Sequence, residues 1–329
     1  MIDSRHTPVF ITYGLFAALF LLGSLQYEGF GTLRVFLNLF TDNAFLAVTA
    51  IGMTFVILSG GIDLSVGSVI AFTGVLTAVL IQSGWPLYLV FPLALMIGAV
   101  FGASMGCLIH AYKLQPFIVT LAGMFLMRGL AVVVSERSIP IEHDFYHAVN
   151  AAGVMLPGRA FLSAQALILV IILCGALVLA HYRRFGTYVY AIGGNPESAR
   201  LMAVPIARTT IGIYALSSFL AALAGIMFSF YTSSGYALAA VGMELDAIAA
   251  VVIGGTLLAG GSGYVIGTLG GVLLMGLVQT YIAFNGALNS WWTKIVIGLL
   301  VLVFVCFQRL NQPGLASKKQ RTKTVRRTA

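Results

Sequence analysis

The sequence predicts an all-α polytopic membrane protein with about ten transmembrane helices, and three observations carry that prediction. Of the 329 residues, 60% are hydrophobic and only 9% are charged, with a mean hydropathy of +1.00. A soluble domain of this size could not cover its surface with so few charges. Apolar runs close to the ~20 residues needed to cross a bilayer recur along the whole chain. The basic residues, in turn, gather in a few of the breaks between those runs, as cytosolic loops require.

Taken in order, the runs are 9–26, 37–59, 64–82, 87–110, 116–135, 161–180, 209–232, 246–261, 264–285 and 291–308. Glycine, proline and polar clusters separate them: Gly29-Phe30-Gly31, Gly60–Asp63, Gly84-Trp85-Pro86, Lys113–Pro116, Glu136–Ala160, His181–Arg208, Ser233–Asp246, Gly260–Gly263 and Asn285–Ser290. The eighth run is the shortest of those in the second half. Ten crossings put both termini on one side. With both termini cytoplasmic, Lys113, the arginine-bearing loop 181–208 and the C-terminal tail all lie inside, and Glu142, His143 and Asp144 lie outside. This divides the chain into a membrane domain, 1–313, and a basic cytosolic tail, 314–329. Lys318, Lys319, Arg321, Lys323, Arg326 and Arg327 in that tail supply six of the formal net charge of +8. The tail reads as a topology anchor on an anionic membrane face and not as a nucleic-acid contact. The first run, Val9–Leu25, is too long for the apolar part of a signal peptide and no small-residue cleavage site follows it, so no cleavable leader is expected. Cys107, Cys174 and Cys306 each stand inside an apolar run with no CxxC pairing and are expected as buried small hydrophobes.

Within the runs, Gly98, Gly102 and Gly106 repeat every four residues, as do Gly263, Gly267 and Gly271. Such spacing lets helix backbones approach in lipid, and internal packing is the first expectation for both. Ile62-Asp63 and Leu245-Asp246 each precede a helix start rich in small residues. This internal echo suggests a 5+5 inverted repeat, an arrangement common in transporters. Asp63, Glu244 and Asp246 therefore have two readings, as helix caps or as gate residues at broken helices. Arg128, deep in LAGMFLMRGLAV, is expensive in lipid and must face a partner or a wet path. Lys294 beside Trp291-Trp292 reads as an interfacial anchor.

The longest basic loop, HYRRFGTYVYAIGGNPESARLMAVPIAR, carries a helix signature of its own. Asn195 suits the N-cap, Pro196 the first helical position, and Glu197 the positive helix end. Ser198–Ala203 can then form two turns before Pro205 ends them. A membrane protein that places a short capped helix in its longest cytosolic loop is presenting it to a soluble partner.

Several chemistries are missing from the sequence. There is no GxxxxGK[ST] loop for ATP phosphates, no GxSxG, no HExxH and no zinc-spaced Cys/His set. Neither a catalytic site nor a cofactor or metal of this chain is expected. The acids sit at segment ends and not in mid-span, where a proton-coupled carrier places them. A conduit powered from outside is the primary reading. A self-contained ion-coupled secondary sugar carrier is the alternative, motivated by Asp63 and Asp246. An intramembrane enzyme built on Arg128, His143 and His147 comes a distant third.

Four blocks, SGGIDLSVGS (59–68), LQPFIVTLAGMFLMRGLA (114–131), RRFGTYVYAIGGNPESARLMAV (183–204) and ELDAIAAVVIGGTLLAGGSG (244–263), resemble permease subunits of bacterial ATP-driven (ABC) sugar importers of the ribose/galactose type. The resemblance covers residues 35–308 and is nearest to permeases of galactofuranose importers. Pro140–Pro157 and the basic tail depart from the family pattern. The resemblance implies a multi-pass protein of the bacterial inner membrane that forms the path for galactofuranose or a related monosaccharide. It implies three kinds of partner: a periplasmic sugar-binding protein, a second permease that is a paralogue or another copy of this chain, and a separate ATPase that binds ATP and Mg. It also implies that Asn195, Pro196, Glu197 and Arg200 form the coupling helix that sits in a groove of that ATPase.

Overall fold

Helices form on every one of the ten predicted segments, but not all of them are full spans. In the computed structural model, residues 7–157, 160–286, 289 and 291–310 are described, and the basic tail 314–329 lies outside the described residues. In chain order come α1 (Thr7–Gln26), α2 (Leu33–Asp42), α3 (Ala44–Leu58), α4 (Val66–Gln82), α5 (Leu87–Tyr112) and α6 (Pro116–Val134). The segment between α6 and the next long helix then contributes β1 (Ile139–Pro140), α7 (Asp144–Ala151), β2 (Gly153–Leu156) and β3 (Ala160–Ser163). There follow α8 (Ala164–His181), α9 (Arg184–Gly194), α10 (Pro196–Leu201), α11 (Ile206–Thr232), β4 (Ser234–Gly235), α12 (Met243–Ile253), α13 (Val265–Asn285) and α14 (Trp291–Leu310).

Seven of these helices are long and apolar enough to cross a membrane, and eight crossings result if the bent pair α2–α3 is one span. The second predicted span is broken by 57° at Asn43. No proline or glycine stands there. The Asn43 amide donates to the Leu39 carbonyl at 2.9 Å, occupying the acceptor one turn back that the backbone N–H would otherwise use. At 17 residues, α4 reaches ~26 Å, and α12 with 11 residues only ~17 Å, against a hydrocarbon core of ~30 Å. The eighth run is therefore not a continuous helix over 246–261. It stops at Ile253 because Gly254-Gly255 follow, and Gly255 takes φ +93°, open to glycine but strained for a side chain. The chain is also not purely helical. β1 pairs with β4 and β2 with β3, two antiparallel ribbons that tie the segment between α6 and α8 to itself and to the end of α11.

α3, α4, α11 and α13 form the buried centre, with α1, α6, α8 and α14 around it. The predicted small-residue stripes both pack inside. A side chain at Gly98, Gly102 or Gly106 of α5 would meet the α11 backbone around Ser218, Tyr214 and Ile211, and one at Gly267 or Gly271 of α13 would meet the α12 end at Gly254 and Ala250. The periphery is apolar: Phe10, Leu22, Phe125, Ile171 and Leu299 are exposed, as the lipid-facing side of a membrane bundle must be. Cys107, Cys174 and Cys306 lie on that surface and not in the core. Both surface and interior are apolar here, so an apolar neighbourhood in sequence does not report burial.

Candidate functional site

At one end of the bundle the loop 181–208 is almost entirely helical. α9 occupies Arg184–Gly194, a helix that the polar composition hid, and α10 follows at once. Asn195 is the N-cap of α10, its side-chain oxygen accepting from the Ser198 N–H at 2.9 Å, with Pro196 at the first position and Glu197 in the first turn. The helix ends at Leu201, short of the expected Ala203, because Ala203 takes a left-handed φ of 56°. Apart from Ala199, every residue of α10 is exposed. Leu201 is 89% and Met202 66% exposed, which leaves two large apolar side chains at the tip of a polar helix. Sequence reasoning singled out Asn195, Pro196, Glu197 and Arg200 but passed over this pair. The signal was an apolar doublet closing a capped polar helix.

α9 joins α10 to the bundle. A side chain at Gly193 would collide with the Leu58 carbonyl at the end of α3 and with Gly261, so only glycine permits this approach. The Gly261 N–H donates to the same Leu58 carbonyl at 2.8 Å. The Tyr190 hydroxyl donates to the Gly263 carbonyl at 2.7 Å. Burial, reinforced by Tyr264, pushes its pKa up to about 12, so it remains a neutral donor.

Just beyond this glycine junction lies Asp63, 1% exposed. One carboxylate oxygen accepts from the Ser65 N–H at 3.0 Å and the Ser65 hydroxyl at 2.6 Å, and the other accepts from the Ser217 hydroxyl of α11 at 2.8 Å. Asp63 thus holds the turn into α4 and fastens it to α11, with the Tyr214 hydroxyl close by. Ser65 itself makes no side-chain cap to α4. At the second residue of α4, Gly67 leaves room for the Glu244 carboxylate, one of whose oxygens is buried without a hydrogen-bond partner. Arg128 donates to the carbonyls of Ala237 and Ala239, both at 2.7 Å, and feels the charge of Glu244. It therefore clamps the segment that runs from α11 inward to α12. Asp246, two residues on from Glu244, points elsewhere: it pairs with Lys294 of α14 at 2.6 Å. Lys294 is thus an ion-pair partner and not merely an anchor. Asp63 and Asp246 do not share an environment, and the structure does not bring them together.

Between α6 and α8, the His143 ring nitrogen accepts from the Phe145 N–H as the cap of α7. Among the described residues no group of His, Cys, Asp and Glu could hold a metal ion.

Comparison with known proteins places this arrangement. Residues 35–305 match the family described as "Branched-chain amino acid transport system / permease component". The chain is 56% identical over 306 residues to the inner membrane ABC transporter permease protein YjfF of Escherichia coli, covering 93% of this chain and 92% of that protein. It is 39% identical to the fructose import permease protein FruG of Bifidobacterium longum, over 94% of this chain and 92% of the relative. Identity to the ribose import permease protein RbsC of Haemophilus influenzae is 38%, over 82% and 83%. No solved structure matches the chain. The chain is a multi-pass inner-membrane protein without an ATPase site of its own, and it belongs to the permease component family of ATP-driven importers.

Proposed function

We propose that this chain forms the translocation path of a binding-protein-dependent sugar importer, and that α10 is the helix through which a separate ATPase drives it. The observation that carries the proposal is the exposed, N-capped α10 with Leu201 and Met202 at its tip. The apolar pair fits a groove in a soluble partner, and Glu197 and Arg200 supply polar contacts at its rim. α9 relays movement of α10 to the Leu58–Gly261 junction, one turn from Asp63. ATP and Mg are bound by the partner and not by this chain.

Ten crossings with cytoplasmic termini and a 5+5 inverted arrangement fit the charge distribution, α4 and the half-length α12 being spans completed by the non-helical segments beside them. The partners are then an ATPase on the α10 side, a periplasmic sugar-binding protein on the opposite side, and a second permease, a paralogue or a second copy. The names of the relatives, fructose and ribose permeases among them, support a monosaccharide as cargo. Galactofuranose or a close relative is the proposed cargo here. Mild solubilisation of the tagged chain from its native membrane tests the partnership. A stoichiometric ATPase bearing phosphate-binding loops is the expected companion. Recovery of the chain alone, still transporting in liposomes under an ion gradient without ATP, would replace this reading with a secondary carrier.

A further inference from the structure

The end of the bundle opposite α10 holds a cleft whose mostly apolar walls carry several polar side chains. α11 leaves the α10 side at Ile206 and ends at Thr232, ~40 Å away at 1.5 Å per residue, and Tyr231 on its last turn lines the cleft. The cleft has two lobes of about 490 and 370 Å³ that share Asn43, Leu46, Asp246 and Gln279. Both lobes fall within the size range of small-molecule sites. The break in the α2–α3 span and the start of the short α12 meet in it. The α2–α3 bend supplies Asn38, Asp42 and Asn43, and the short α12 supplies Asp246 from its first turn. Discontinuous helices are where transporter folds place their substrates, because the broken backbone and its side chains can line a wet cavity there.

We infer that this cleft is the station that receives a neutral monosaccharide inside the membrane domain. The inference rests on the permease reading above and assigns residues to it. The chemistry of the walls selects the class of ligand. Asn38 and Gln279 each present both donors and acceptors, and Asp42 adds acceptors, the mixture a polyol needs. Phe45, Tyr231 and Phe284 offer aromatic faces in the larger lobe. Among the described residues that line the cleft, Lys294 is the one cation, and both of its bonds, at 2.8 and 2.6 Å, go to Asp246. With Asp42 the lining carries a net negative charge. A free carboxylate, such as that of a branched-chain amino acid, would enter without a cation to meet it and would leave its own charge unpaired. The cleft therefore favours a sugar over the amino acids named in the family's description.

The test uses the complete importer in proteoliposomes, with binding protein at saturation and with labelled D-galactose, D-ribose, D-fructose and L-leucine as probes. Gln279→Leu and Asn38→Leu are expected to lower the sugar moved per ATP hydrolysed at least tenfold, and the wild type is expected not to move leucine. An unchanged ratio in both variants, or leucine transport, overturns the inference. A second measurement is independent of turnover. In a background with Cys107, Cys174 and Cys306 changed to alanine, a maleimide applied from the outer side should label Gln279→Cys, and the transported sugar should slow the labelling. Labelling that no sugar slows overturns the assignment even where the leucine variants fold poorly. A wild-type complex with no ATP-driven sugar uptake at all would instead sink the permease reading.

Discussion

Asp63 is the residue whose chemistry is most constrained. A carboxylate this deep costs several kcal/mol unless hydrogen bonds meet it, and three donors from Ser65 and Ser217 do so. Asn keeps one oxygen for the Ser65 pair, and its amide can donate to the Ser217 hydroxyl once that hydroxyl turns. Asp63→Asn should therefore assemble and transport within about threefold of the wild type. Asp63→Leu strands the donors, at ~1–3 kcal/mol each, and should abolish folded protein in a thermal-stability assay on the detergent-solubilised chain. Near-zero transport by a fully folded Asp63→Asn protein would mean that the charge itself gates the path. Arg128, by contrast, is satisfied by two backbone carbonyls. A long cation can be retained in lipid when it has such acceptors, so its presence in an apolar run does not require an acid partner.

At the scale of the helices, the decisive contacts are backbone on backbone. α5 lies against α11 through Gly98, Gly102 and Gly106, where added side chains would strike Ser218, Tyr214 and Ile211. Lipid tails are as apolar as leucine, so close van der Waals fit has to hold the pair. Gly102→Leu should remove the protein from the membrane fraction, whereas Gly175→Leu on α8, whose added atoms would meet nothing within 4 Å, should express at wild-type level. Equal levels of the two variants in a quantitative blot would contradict the packing account.

These stripes, the Asn195-Pro196 cap and the boundaries of α5, α6 and α13 were legible because each has a local signature: spacing, capping chemistry or an apolar run between turn residues. The bend at Asn43 was not, since its cause is a side chain bonding one turn back and a lone asparagine does not announce that. α12 was read too long because its apolar composition continues past Gly254-Gly255 while its backbone does not. α9 was missed because Arg184, Thr187 and three glycines interrupt its apolar residues, so no apolar run marks it. The Asp246–Lys294 pair, 48 positions apart, and the cleft between α2, α12, α13 and α14 are tertiary facts with no local trace.

Across the whole molecule, two ends with different chemistry are joined by one packed helical bundle. One end offers an exposed helix with an apolar tip, and the other a cleft that sets a few polar side chains among apolar and aromatic walls. Between them, α11 runs the full length of the bundle, contacting α3, α4 and α5 and receiving the Asp63 bond through Ser217. On the coupling role proposed for α10, a push on it would reach the Asp63 turn through the Gly193–Gly261 approach, and α11 would lead from there to Tyr231 in the cleft.

The measurement that tests this most directly is ATP-driven sugar uptake by the reconstituted importer carrying Glu197→Pro together with Arg200→Glu. These changes remove the acid from the first turn of α10 and reverse the charge of Arg200, both on its exposed surface. The account predicts that the variant inserts and folds like the wild type yet loses at least 90% of its uptake, on the order of the tenfold loss that 1.4 kcal/mol of lost coupling would give. Wild-type uptake by a variant shown to be folded would contradict it and remove α10 from the transport cycle.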